Sequence, residues 1–179
     1  TGKSDINLSG VLDNFYGFLF KKQELKGNFN MSANQIAVSD FLTFDEDKKE
    51  NTAGSAMKIP SFLNCTLTAK ANKVLYDNLT LTTVSGKLII KDQKVTLENG
   101  KTSIFGGAIS FDGSVSTKEK TPNFKMDLGM NQVDIQQTFT QLEMMKKIAP
   151  IAGVINGKLN SSISLSGNLD SKSMTPDLN

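Results

Sequence analysis

From residue 155 to 169, small or apolar side chains alternate with polar ones. The odd positions are Ile155, Gly157, Leu159, Ser161, Ile163, Leu165, Gly167 and Leu169; the even ones are Asn156, Lys158, Asn160, Ser162, Ser164, Ser166 and Asn168. Successive side chains of a strand point to opposite faces, so this run predicts a strand with one dry and one wet side. The pattern recurs. Phe124, Met126, Leu128 and Met130 alternate with Lys125, Asp127 and Gly129, and Val95 and Leu97 alternate with Thr96 and Glu98. Cys65, Leu67, Ala69 and Ala71 face away from Thr66, Thr68, Lys70 and Asn72, and further runs lie at Leu25–Met31, Ile36–Leu42 and Leu79–Ile90. Turn signals such as "ANKV", "KDQK", "ENGK" and "TKEKTPN" separate the runs at hairpin spacing. The chain is expected to be mainly β: a long, curved antiparallel meander sheet, groove-like or half-open, with one or two short helices.

Two segments leave the period of two. Between Asp134 and Ala149, Ile135, Phe139, Leu142 and Ala149 fall on one helical stripe, with Met145 and Ile148 beside it. Asp134 and Gln137 have capping-box spacing and Pro150 stops the run, which predicts a helix over 134–149. "LDNFYGFLFKKQ" predicts a short helix from Asp13, with Leu12, Phe15, Tyr16 and Leu19 inward. Residues 45–56, "DEDKKENTAGSA", read as a flexible loop between a strand-rich part at 1–44 and a sheet region at 57–179.

Glycine placement bears on chemistry. "SIFGGAISFDGSV" invites comparison with a phosphate-cradling loop, but such loops lead from a strand into a helix. Here Ile109, Phe111, Gly113 and Val115 resume the alternation. Gly106 and Gly107 then read as a tight turn or bulge, and Gly113, like Gly157 and Gly167, falls on the apolar face, where a missing side chain permits curvature or close approach.

Composition removes several function classes. The net charge is +2 and all 20 basic residues are Lys, so the guanidinium fork for bidentate phosphate or base recognition is missing, and nucleic acid is not an expected partner. With no His and no Trp, the usual general base and metal ligand are missing. One Cys, Cys65, can form neither an internal disulfide nor a zinc site. No apolar run is long enough for a transmembrane helix or signal peptide. The start at Thr1 and the tail "SMTPDLN" suggest a piece of something longer, with any membrane anchor elsewhere.

Motif by motif, little chemistry remains. "TGKS" matches only the tail of a P-loop, and "DEDKKE" lacks the register of a calcium loop. Asp112 and Asp127 sit on polar strand faces without a spaced catalytic partner. Sequons at Asn7, Asn30, Asn64, Asn78 and Asn160 are expected by chance in a chain so rich in Asn, Ser and Thr. No catalytic residue, cofactor site or metal site is assigned, and no enzymatic activity is expected.

The ordered run of "NLTLTTVSGKLIIKDQKVTLENG", "IFGGAISFDGSV" and "INGKLNSSISLSGNLD" resembles the carboxy-terminal periplasmic region of AsmA-like proteins. The likeness covers roughly two thirds of the chain; the first 56 residues share only "LKGNFNMSANQIAVSDF" with it. This resemblance implies a periplasmic protein of the Gram-negative envelope, tethered to the inner membrane by an anchor outside this sequence. It further implies kinship with bridge-like lipid transfer proteins, whose curled sheets carry phospholipid acyl chains towards the outer membrane.

Burying a methylene is worth about 0.8 kcal/mol, so a conduit for acyl chains needs a continuous apolar track. The candidates for that track are Leu79, Leu81, Leu88, Ile90, Val95, Leu97, Ile109, Phe111, Phe124, Met126, Leu128, Ile163 and Leu165. Alternation alone equally allows the same face to be a closed core, in a structural or protein-interaction module involved in outer-membrane assembly.

Overall fold

The computed structural model describes residues 2–42, 58–141, 155–171 and 173–176, with 41 and 42 described in backbone only. Its elements run in chain order as β1 (Asn7–Asp13), α1 (Phe15–Lys21), β2 (Leu25–Ala37), α2 (Ser39–Leu42), β3 (Leu63–Tyr76), β4 (Leu79–Lys91), β5 (Lys94–Ile104), β6 (Gly107–Ser116), β7 (Asn123–Asp134), α3 (Ile135–Gln141) and β8 (Lys158–Asn168). The eight strands form one sheet in sequence order, β1 to β8. The expected mainly-β meander with short helices is therefore the fold.

One pairing departs from the antiparallel expectation. β2 and β3 run parallel, with Leu25 beside Leu63 and Phe29 beside Leu67, whereas every other neighbouring pair is antiparallel. A tight turn cannot join parallel strands; the chain must return to the end it started from, and residues 38–62 supply the length. The predicted loop at 45–56 falls in that connection and lies outside the described residues.

In two of the hairpin turns both central residues have positive φ. Asp92 (φ 52) and Gln93 (φ 58) turn β4 into β5, as "KDQK" predicts. Between β5 and β6 the central residues are Phe105 (φ 52) and Gly106 (φ 66), with Ile104 paired to Gly107, so the turn lies one residue earlier than the Gly106–Gly107 reading. This is the backbone that matches the right-handed twist of flanking strands. "TKEKTPN" does fall in the β6–β7 connection.

Other signals belong to strand interiors. "ANKV" lies inside β3, and "ENGK" marks a bulge in β5 where pairing slips between Leu97 and Gly100 and Asn99 has φ 54. The Ile36–Leu42 run is strand only to Ala37, after which the chain enters α2. Ile155 and Gly157 precede β8, which starts at Lys158.

The helix predicted at 134–149 begins as expected. Gln137 N donates to Asp134 Oδ1 at 2.8 Å, the Thr138 hydroxyl donates to Asp134 O at 2.7 Å, and Lys158 Nζ lies 3.5 Å from Asp134 Oδ2. Its second half, with Leu142, Met145, Ile148 and Ala149, lies outside the described residues. For α1 the expected orientation is overturned: Leu12, Phe15, Tyr16 and Leu19 are all exposed, and Gly17 is the residue turned inward. A Cβ at Gly17 would displace the ends of the Asn14 and Gln23 side chains, which close over it.

Among the described residues, a compact core cluster lies at one end of the sheet. Ile104, Phe105 and Val133 are buried there, with Leu79, Leu81, Ile109 and Met130 against them. α3 closes the same end: Asp134 N donates to Phe105 O, and Asn78 Nδ2 donates to Gln141 O at 2.9 Å. At the other end lies α1.

Candidate functional site: an uncovered apolar face

Strand register decides which side chains share a face. One rung reads Leu12, Gly27, Cys65, Ile90, Val95, Val115, Phe124 and Gly167, each opposite the next. The adjacent rung reads Gly10, Phe29, Leu67, Leu88, Leu97, Gly113, Met126 and Leu165. Beyond the β5 bulge, Gly100, Phe111, Leu128 and Ile163 form a third. Ile109 follows, opposite Thr102 and Met130. Apolar and small residues thus cross all eight strands without a polar interruption in the first two rungs.

The thirteen expected residues fall as follows. Ile90, Val95 and Phe124 occupy the first rung; Leu88, Leu97, Met126 and Leu165 the second; Phe111, Leu128 and Ile163 the third, with Ile109 beside it. Leu79 and Leu81 lie farther along β4, packed on the terminal cluster.

The face bends inward. Residues of β2 through β6, from Met31 and Ile36 through Ala69, Val74, Leu81, Leu88, Leu97 and Gly100 to Ile109 and Phe111, line one hollow of about 310 Å³. Strands are spaced about 4.8 Å apart, so β2 and β6 would stand about 19 Å apart on a flat sheet, and a shared hollow requires curling. Gly86 and Gly100 lie in its lining; at Gly100 a Cβ would collide with the Phe111 carbonyl oxygen.

Ala69 and Ala71, already read on one side of their strand with Cys65 and Leu67, line the hollow too, and so do Met31, Ile36, Val74, Val84, Gly86 and Gly100, which were not anticipated. Their signal is a parity change. Apolar positions run even over Val84, Leu88 and Ile90 but odd at Leu79 and Leu81, and odd over Ala69 and Ala71 but even at Val74. The structure shows why. Thr83 has φ 51 and pairing slips between Thr82 and Ser85, while the β2–β3 ladder skips Asn34 and Asn72, whose side chains meet instead, Asn72 Nδ2 donating to Asn34 Oδ1 at 2.9 Å. At each irregularity the alternation resets, and the following apolar side chains return to the same face.

Among the described residues no second sheet covers this face, and the described helices pack at the ends, α1 against β2 and α3 against β7. Leu8, Leu12, Ile163 and Leu165 are exposed. The opposite face is polar. Lys87 and Glu98 approach to 3.8 Å, and Asp112 stands opposite Asp127. Asp112 accepts from Asn99 N at 2.7 Å and Asp127 accepts from the Ser164 hydroxyl. No cluster of three or more acidic, Cys or His ligands lies among the described residues. Nor is any described helix long and apolar enough to cross a membrane.

An amino-terminal strap holds one corner. Gln35 N donates to Asp5 Oδ1 at 2.7 Å, and the Ser4 hydroxyl donates to Asp40 Oδ2 at 2.7 Å. Those bonds hold both carboxyls below their ordinary value of 3.8, Asp5 through the Gln35 amide and Asp40 through Ser4. Comparison with protein-family models, curated proteins and solved structures gives no match.

Proposed function

We propose that the curled sheet shields phospholipid acyl chains, as a non-enzymatic segment of a lipid path between the inner and outer membranes of a Gram-negative envelope. The observation that carries this reading is the run of apolar rungs across eight strands with no second layer over them among the described residues. Water against such a face is costly, at roughly 25 cal/mol for each Å² of apolar surface left wet. An acyl chain laid across the strands replaces that water along its whole length. The AsmA-like order of sequence motifs supports the same function, the periplasmic setting and an inner-membrane anchor. Native mass spectrometry of gently purified protein tests it: retained phospholipid is expected, and protein carrying none overturns it.

A second reading has one observation in its favour. β8 is the last strand of the sheet, and from Leu159 to Asn168 it carries no charge and no Pro. Edge strands usually carry such guards against pairing with another chain. A protein-interaction module for outer-membrane assembly would use that edge, and a stable protein partner without lipid would favour it.

A further inference from the structure

The helix α1 is built inside out. A helix lying on a sheet in water keeps its apolar stripe inward and its polar side outward. In α1 the inward position is Gly17, and Phe18 packs on Phe62 with ring centroids 5.2 Å apart. The outward side is Phe15, Tyr16, Leu19 and Phe20, exposed at 52, 66, 53 and 69 %. These four form two adjacent i, i+4 pairs, and the Tyr16 and Phe20 rings meet at 4.8 Å. They make one apolar surface rather than scattered exposures.

Lysines border it. Lys21 Nζ stands 5.9 Å from the Tyr16 ring centroid, and Lys22 follows at the helix end; Asp13 and Glu24 flank the segment, the latter bonded to Asn64 Nδ2 at 2.9 Å. Aromatic rings beside lysine ammonium groups suit the boundary between acyl chains and headgroups, where ring faces enter the apolar layer and cations meet phosphate. Seven residues at 1.5 Å each give about 10 Å, too short to span a bilayer and suited to lying in its surface.

We propose that α1 is an interfacial anchor: Phe15, Tyr16, Leu19 and Phe20 enter the headgroup boundary of an anionic bilayer, and Lys21 and Lys22 pair with its phosphates. The position gives this use. Leu12, just before α1, faces Gly27 at the start of the apolar rungs, so the anchor stands at the mouth of the uncovered face. The proposal concerns membrane docking and does not require that the face carry lipid.

Flotation of the full 179-residue chain with phosphatidylethanolamine–phosphatidylglycerol vesicles tests it. Wild type should float, and the combined Phe15→Ser, Tyr16→Ser, Leu19→Ser and Phe20→Ser variant, with an unchanged circular dichroism spectrum, should lose at least about tenfold in partitioning. Lys21→Glu with Lys22→Glu should weaken binding to these vesicles and leave weak binding to phosphatidylcholine vesicles unaltered. Wild type that does not float, either variant set floating like wild type, or an α1-dependent dimer without vesicle binding would each overturn the anchor. Binding of a monomeric short-chain phospholipid, measured in parallel, reports on the apolar face alone. The serine variant should keep it, and its loss in wild type would refute the conduit without touching the anchor.

Discussion

The backbone amide of Asn99 donates to the carboxylate of Asp112 at 2.7 Å, from a residue with φ 54 on one strand to the polar face of the next. The bond pins the β5 bulge, and the bulge puts Gly100 and Thr102 on the same face as Leu97. A polar contact on the outer face thus sets the apolar register on the inner one. Asp112→Ala should destabilise the fold by about 1.5 kcal/mol, the low end for a hydrogen bond to a charged acceptor because this one is exposed. Asp112→Asn, which keeps an acceptor, should cost less in denaturant titrations.

Gly113 tests the groove itself. It stands between Leu97 and Met126 in the second rung, and a Cβ there would lie 3.0 Å from Lys125 O and 3.3 Å from the Phe111 ring. Gly113→Val should push the Phe111 ring into the hollow and lower phospholipid retention several-fold while leaving the sheet folded. An unchanged hollow with normal lipid binding would contradict it.

At the β5–β6 turn, left-handed backbone costs an L side chain roughly 1–2 kcal/mol, so Gly106→Ala should lower stability by about that much. Phe105 bears the same strain because its ring is buried in the terminal cluster. Phe105→Asn relieves strain but empties the cluster, and should be worse than Gly106→Ala by thermal unfolding.

The amino-terminal strap should be acid-sensitive. Asp5 and Asp40 have lowered folded values, so their contribution is complete above the ordinary carboxyl value of 3.8 and is lost as pH falls through the folded ones. The Gln35 amide resonance should titrate below pH 3.8 in wild type and stay flat in Asp5→Ala.

Much of this architecture is legible in the chain because side-chain parity is a local property. Phe124 to Met130 and Leu159 to Gly167 alternate without slips, so β7 and β8 could be read with their faces. Parity cannot show where it resets. The irregularities at Asn34, Asn72, Thr83 and Asn99 depend on neighbouring strands, so Val74, Val84 and Gly100 were missed. The parallel β2–β3 pair arises from a return connection whose direction no local pattern encodes. For α1, the helical period was visible, but the inward assignment followed hydrophobicity, and the buried position goes to Gly17, with Phe18 packed on Phe62, instead.

The central claim is that lipid meets one face of the sheet and not the other. Photo-crosslinking residues placed at Leu128 and Phe111 on the apolar face, and at Asp127 on the polar face, test it most directly in envelope membranes. Phospholipid adducts are predicted at 128 and 111 and none at 127. Protein adducts alone at 128 and 111, or equal lipid capture at all three, would contradict it.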